Sequence, residues 1–255
     1  MTSPEGQQGW LFGTMHSLPD GLEWQTAEFT AAFVAADSLA VEIVDLQPTE
    51  ADEIFYELAL SPDQPRLSLR LEPDERPALI ELMQRIGVSD RDFAEWESWA
   101  VALSLNNALA VGEPQNGADL ILISQAEDRD IPVVGFETYR GQLSLFDGLS
   151  LEAQNDLLFD VAERARNENP DALTEDWLTG DLETIEQETF EDLPEGSELR
   201  QVLVTRRNLA WLEVLVRMVE AGEEPFVAVG TGHMLGFDGL PALLEERGYT
   251  VTRIQ

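Results

Sequence analysis

Two stretches near opposite ends of the chain are built alike, and that repetition narrows what the sequence can fold into. Gly9 to Thr14 (GWLFGT) and Pro225 to Gly230 (PFVAVG) are short apolar runs, and each leads into Gly-Thr-x-His: Gly13-Thr14-Met15-His16 and Gly230-Thr231-Gly232-His233. A leucine and then Asp-Gly-Leu follow in both cases (Asp20 to Leu22; Asp238 to Leu240), at the point where a helical pattern begins. An apolar run ending in a glycine turn and followed by a helix is the repeating half of a parallel α/β sheet. The chain has only 2 histidines, and both occupy this motif. An internal duplication or a shared functional demand accounts for the coincidence better than chance.

The rest of the pattern agrees with an α/β class. Leu39 to Val44 (LAVEIV) reads as a strand after an apolar helix at Leu22 to Ala36, whose start the pair Asp20 and Glu23 marks as a capping box. Asp119 to Ser124 (DLILIS) and Ile131 to Phe136 (IPVVGF) read as further buried strands, and Tyr249 to Ile254 as a last one. Between them, residues from about 48 to 117 carry helical periodicity without strand-like runs, which predicts a helical insertion. A second helical stretch covers about 151 to 222 and ends in a long helix from Ser197 to Ala221, with Gly222 at its C-cap. The fold expected is one domain over 1–255, with a central mixed or mostly parallel sheet, flanking helices and helical insertions.

Charge separates function classes. The 255 residues hold 15 Arg, no Lys and 50 Asp plus Glu, a formal net charge of −35, yet 44% are hydrophobic, enough for a core. So negative a field opposes phosphate backbones and anionic membrane surfaces, excluding nucleic acid as the expected partner, and favours cationic substrates by steering. No apolar run long enough for a membrane span occurs. With 0 Cys there are no disulfides, thiolate nucleophiles or cysteine metal sites. The compartment stays open, with a secreted or periplasmic origin allowed if a signal peptide has been trimmed from the sequence.

The chemistry-bearing candidates sit at strand ends. His16 and His233 would stand at the carboxyl edge of the sheet, where open α/β folds bind ligands. Two imidazoles with carboxylates make a common hydrolytic metal set, while the structural alternative is a pair of turn histidines bonded to nearby carbonyls. Glu42 lies inside the otherwise apolar VEIVD, where an unpaired charge would be costly, so a metal or an arginine should compensate it unless the strand is an exposed edge. Glu137 follows IPVVGF at another strand end, with Gln142 five residues on. Arg207 and Asn208 interrupt the apolar helix beside Trp211; Arg207 either snorkels along that ring, pairs a buried glutamate, or stabilises an oxyanion. No phosphate loop, H-E-x-x-H helix or serine-hydrolase elbow is present.

Taken in order, GTMHSLPDG, ADLILISQAEDRDIPVVGFETYRGQL, RRNLAW and GTGHMLGFDGLPALLEERGYTV resemble the TraB/PrgY/GumN family, which includes the Tiki metalloproteases. The resemblance spans nearly the whole chain. It implies the α/β core of the ChaN-like and erythromycin-esterase-like superfamily and, for Tiki-like members, a divalent-metal-dependent peptidase. The family histidines fall on His16 and His233, the strand glutamates on Glu42 and Glu137, and the helix arginine on Arg207, while Arg206 replaces an acidic residue often found before that arginine.

Three functions are therefore expected to compete. In the leading one, a metal-dependent hydrolase of peptide or small-molecule substrates, His16, His233 and at least one of Glu42 and Glu137 hold Mn, Co or Zn. The other glutamate takes the proton of the bound water, and Arg207 steadies the oxyanion. In the second, the same scaffold binds and sequesters a peptide or other ligand without cleaving it. In the third, the histidines bind an organic anion without a metal.

Overall fold

A computed structural model describes residues 1–44, 48–167, 172–191 and 193–254. Four strands, β1 (Trp10–Thr14), β2 (Ser38–Ile43), β3 (Val133–Glu137) and β4 (Pro225–Gly230), form one sheet in the order β1-β4-β2-β3. All three pairings are parallel, with Thr14 opposite Gly230, Leu39 opposite Phe226 and Ile43 opposite Glu137. The last strand in sequence thus inserts between the first two.

Both faces of a parallel sheet must be covered, and side-chain alternation shows how this one is. Leu39 and Val41 of β2 and Phe226 and Ala228 of β4 face one core, packed against α1 (Ala27–Ala35). Ala40, Val227 and Val229 face the other, built on Trp211, Leu212 and Leu215. Glu42 shares the parity of Ala40 and so belongs to the Trp211 side.

The insertion predicted near 48–117 is helical: α2 (Pro48–Ala59), α3 (Arg76–Ile86) and α4 (Ser98–Leu109), with short 3-10 turns at Leu67–Leu69 and Pro114–Asn116. Helix α5 (Ala118–Asp128) precedes β3, and α6 (Tyr139–Asp147) follows it. The second helical stretch contains α7 (Leu151–Asn167), α8 (Ala172–Thr179) and α9 (Leu182–Glu191); residues 168–171 and 192, also within that expectation, lie outside the described residues. The long helix α10 begins as Glu198–Arg200, passes through a π turn at Gln201–Thr205 and continues as Arg206–Glu220. Gly222 follows it at φ +89°, the left-handed conformation expected after the C-cap. Helix α11 is Leu240–Glu246.

Three expectations need correction. DLILIS is not a strand but the first turns of α5, which buries Ala118, Leu122, Ile123 and Ala126 at helical spacing; so short an apolar run does not by itself separate a period of 2 from one of 3.6. Tyr249 to Ile254 does not join the sheet: Thr250 makes an isolated antiparallel bridge to Thr2. Finally, Asp20 and Glu23 do not cap α1, which starts at Ala27 with the Thr26 side chain accepting from the Phe29 N–H.

Candidate functional site

The carboxyl ends of the four strands converge. His16 follows β1, Glu42 is the penultimate residue of β2, Glu137 ends β3, and His233 lies in the 3-10 turn (Thr231–Met234) after β4. Gly13 permits this approach: a Cβ built on it would lie 3.0 Å from Cα of Thr231. Thr231 Oγ1 then donates to the Thr14 carbonyl at 2.9 Å, joining the two histidine-bearing turns. Above Gly230 is a small cradle. The position a Cβ would take there is 3.1 Å from Glu42 Oε1, 3.5 Å from His16 Nε2 and 3.8 Å from His233 Cδ2, so both imidazoles and one carboxylate border a single point.

Arg207 sits behind that point as a five-way hub. Its Nε donates to Glu137 Oε1 (2.9 Å), Nη2 to Glu42 Oε2 (2.6 Å) and Glu137 Oε2 (3.0 Å), and Nη1 to the Leu203 carbonyl (3.1 Å) and to His233 Nε2 (3.0 Å). A guanidinium has five N–H groups, and all five are engaged. The oxyanion role expected of Arg207 therefore lacks a free donor. Of the alternatives weighed from sequence, the structure shows pairing, with two buried glutamates, while the guanidinium also lies 4.7 Å from the Trp211 ring centroid.

The neighbours complete the pinning. Trp211 Nε1 donates to Glu137 Oε1 (3.0 Å), Gln142 Nε2 to Glu42 Oε2 (3.0 Å), and the Gly230 N–H to Glu42 Oε1 (2.7 Å). Asn208 is fully buried; its Nδ2 donates to the carbonyls of His233 (3.3 Å) and Asp238 (2.7 Å), which turns its Oδ1 toward His233 Nδ1 at 2.7 Å. That network assigns the proton of neutral His233 to Nδ1 and makes Nε2 the acceptor for Arg207. Asp238, from the second Asp-Gly-Leu, pairs with Arg200 at 2.7 Å and accepts from Thr205 at 2.6 Å, anchoring the turn to α10 just before its π segment and at that segment's last residue.

His16 differs from every other member: 69% of its side chain is exposed. Its Nδ1 is bonded to Asp119 Oδ2 at 2.8 Å, and Thr14 Oγ1 donates to Asp119 Oδ1 at 2.6 Å. Asp119 is a residue that sequence reasoning missed. Placed in a strand it had no reason to meet His16; in the first turn of α5, whose Ala118 N–H donates to the Met15 carbonyl at 2.9 Å, it stands beside it. An acidic residue just after Gly117 is also a helix-start signal, and it was available.

These environments drive the titrating groups apart. The Asp119 hydrogen bond, outweighing desolvation and aided by the charges of Asp119 and Glu42, raises His16 to about 9. Burial lowers His233 to about 4, with Arg207 helping and Glu42 opposing. Burial pushes the Glu42 carboxyl up, but the imidazoles, Arg207 and the Gly230 N–H more than reverse this and hold it at about 2.

The donors expected to hold a metal are the right kind, two imidazoles and two carboxylates. Their arrangement is nonetheless a guanidinium site: Arg207 occupies both oxygens of Glu137, Oε2 of Glu42 and Nε2 of His233. Among the described residues no three His, Asp or Glu side chains stand as a metal-binding group. The four expected ligands do not fit one ion as they stand. Among the described residues no helix is long and apolar enough to cross a membrane.

No curated protein and no solved structure matches the chain. A sequence model described as the TraB/PrgY/gumN family matches residues 1–253, and the chain belongs to that family.

Proposed function

We propose that the protein is a hydrolase of peptide or related amide and ester bonds, with its reacting centre over Gly230. One observation carries the reading: Glu42 Oε1 and His16 Nε2 border the same cradle, 3.1 and 3.5 Å from the point over Gly230. Titrating groups whose environments push their pKa values apart are the usual mark of an acid and base pair. Glu42 is kept ionised, and His16 is kept protonated at neutral pH. A water held in the cradle gives its proton to Glu42 as its oxygen bonds to the substrate carbonyl carbon. His16, exposed and steadied by Asp119, passes its proton to the departing amine or alcohol as the old bond breaks. Arg207 and Glu137 are positioning residues here, fixing Glu42 and His233 without touching the reacting atoms.

Resemblance to a family that includes the Tiki metalloproteases supports a peptide bond as the scissile group, and the charge of −35 supports cationic substrates. The metal that this resemblance brings with it has no vacant ligand set here, so no step is drawn through it. The test is to incubate the protein with a random peptide library and with p-nitrophenyl esters, reading products by mass spectrometry and absorbance. Cleavage by the wild type that is lost in His16→Ala, an exposed position that should fold normally, is the expected result. Peptides retained uncut would support the sequestering alternative, and cleavage indifferent to His16 would overturn the assignment.

A further inference from the structure

A cavity of about 630 Å³ lies beside β1, the strand at the end of the sheet that pairs with β4. Its size is within the range of roughly 300–1,000 Å³ typical of small-molecule sites. Aromatic side chains form much of the wall: Trp10, Phe12, Trp24, Phe29 and Trp177. Ring centroids of Phe12 and Trp24 are 5.5 Å apart and stacked, and Trp177 stands 5.9 Å from Phe12 and 5.8 Å from Trp24. The Trp177 N–H is already used, donating to the Gly13 carbonyl at 2.9 Å.

Two further features identify the occupant. First, the cavity shares Gly13 and Thr231 with the two histidine-bearing turns, so it adjoins the segments that carry His16 and His233 without being lined by either imidazole. Second, the charged side chains bordering it, Glu23 and Arg253, are both exposed, and Arg253 donates to the Gly180 carbonyl at 2.7 Å. Met1 also lines the cavity, but its terminal ammonium is engaged by the Gly9 carbonyl at 2.8 Å, and no charged side chain stands among the aromatic rings, where burying an ionised group unpaired is costly.

We propose that this cavity receives an uncharged, apolar group of the ligand, so that the substrate is an amphiphile whose apolar part lies against Trp10, Phe12 and Trp177 while its reacting carbonyl reaches the cradle over Gly230. The pocket rests on its own walls; its link to turnover rests on the hydrolase reading above.

Two measurements on the full chain separate these. N-phenyl-1-naphthylamine, a neutral probe that brightens in apolar surroundings, should bind saturably at one site. Binding should weaken about 10-fold in both Trp10→Ala and Leu178→Trp, the first removing a wall and the second filling space, with unchanged circular dichroism. Hydrolysis of p-nitrophenyl octanoate should exceed that of the acetate by about 10-fold or more in kcat/KM, and Trp10→Ala should erase that preference. Absent or non-saturable probe binding, or binding indifferent to both variants, overturns the pocket. Turnover without chain-length preference overturns its link to the substrate. Saturable binding with no ester or peptide cleaved supports the pocket and removes the hydrolase reading instead.

Discussion

Arg207 Nη2 lies 2.6 Å from Glu42 Oε2, and both side chains are only 9% exposed. The pair joins α10 to β2 across 165 residues of sequence. A buried carboxylate beside a buried guanidinium is tolerated because each neutralises the other; either one alone would be a charge in a poorly solvated interior.

Removing the cation should therefore be worse than removing an ordinary core side chain. Arg207→Met leaves Glu42 and Glu137 uncompensated and should cost about 3–5 kcal/mol in urea unfolding. Arg207→Lys keeps the charge but offers a compact point donor in place of a planar fork, so it should recover only part of the loss.

Filling the cradle should separate activity from folding. Gly230 has φ −47°, which any residue adopts, and a Cβ there would lie 3.1 Å from Glu42 Oε1 and 3.5 Å from His16 Nε2. Gly230→Ala should leave the circular dichroism native while costing about 1–3 kcal/mol in urea unfolding, because the fixed Glu42 carboxylate must yield to the methyl. It should lower kcat/KM by about 100-fold on any ester or peptide the wild type cleaves, because the reacting water loses its place. Unimpaired turnover in that variant would falsify the location of the reacting centre.

Asp119 should set the titration of His16. In the wild type the imidazole NMR resonances of His16 should titrate near 9, and in Asp119→Asn they should fall toward the ordinary 6.5. Since the folded-state value is raised, the associated stability is complete below 6.5 and is lost as pH climbs through about 9; at so exposed a ring the effect is small. Activity should decline on the alkaline side in the wild type, and the decline should move to lower pH in the variant.

Acid should act through His233 and Glu42 together. Their folded-state values are depressed, to about 4 and about 2, so the unfolded chain binds protons first. Stability should fall as pH drops from 6.5 toward 4 through His233, and from 4.5 toward 2 through Glu42. His233→Gln should flatten the upper part of that slope in pH-dependent urea midpoints while leaving the lower part in place.

Chelation should have little effect. With Arg207 holding Glu137, Glu42 and His233, protein dialysed against EDTA should keep its turnover, and elemental analysis should find well below one ion per chain. A full equivalent of metal that disappears in His16→Ala would show instead that Arg207 gives way to an ion.

What the amino-acid sequence determined by itself was local. Short apolar runs ended by glycine marked β1 and β4, a lone glutamate in VEIVD marked a charge needing a partner, and helical spacing around RRNLAW marked α10, since period and turn chemistry act over a few residues. Where the local signal was balanced, as in DLILIS, the reading failed, and with it went Asp119, whose place beside His16 depends on α5 being a helix. Only the tertiary structure decided which charges met. Strand order inserted β4 between β1 and β2, the parity of β2 turned Glu42 toward α10, and the π turn and packing of that helix brought Arg207 to Glu42, Glu137 and His233 at once. No spacing along the chain encodes that arrangement, because it is fixed by covering both faces of the sheet and by the cost of leaving any one of those buried groups unpaired.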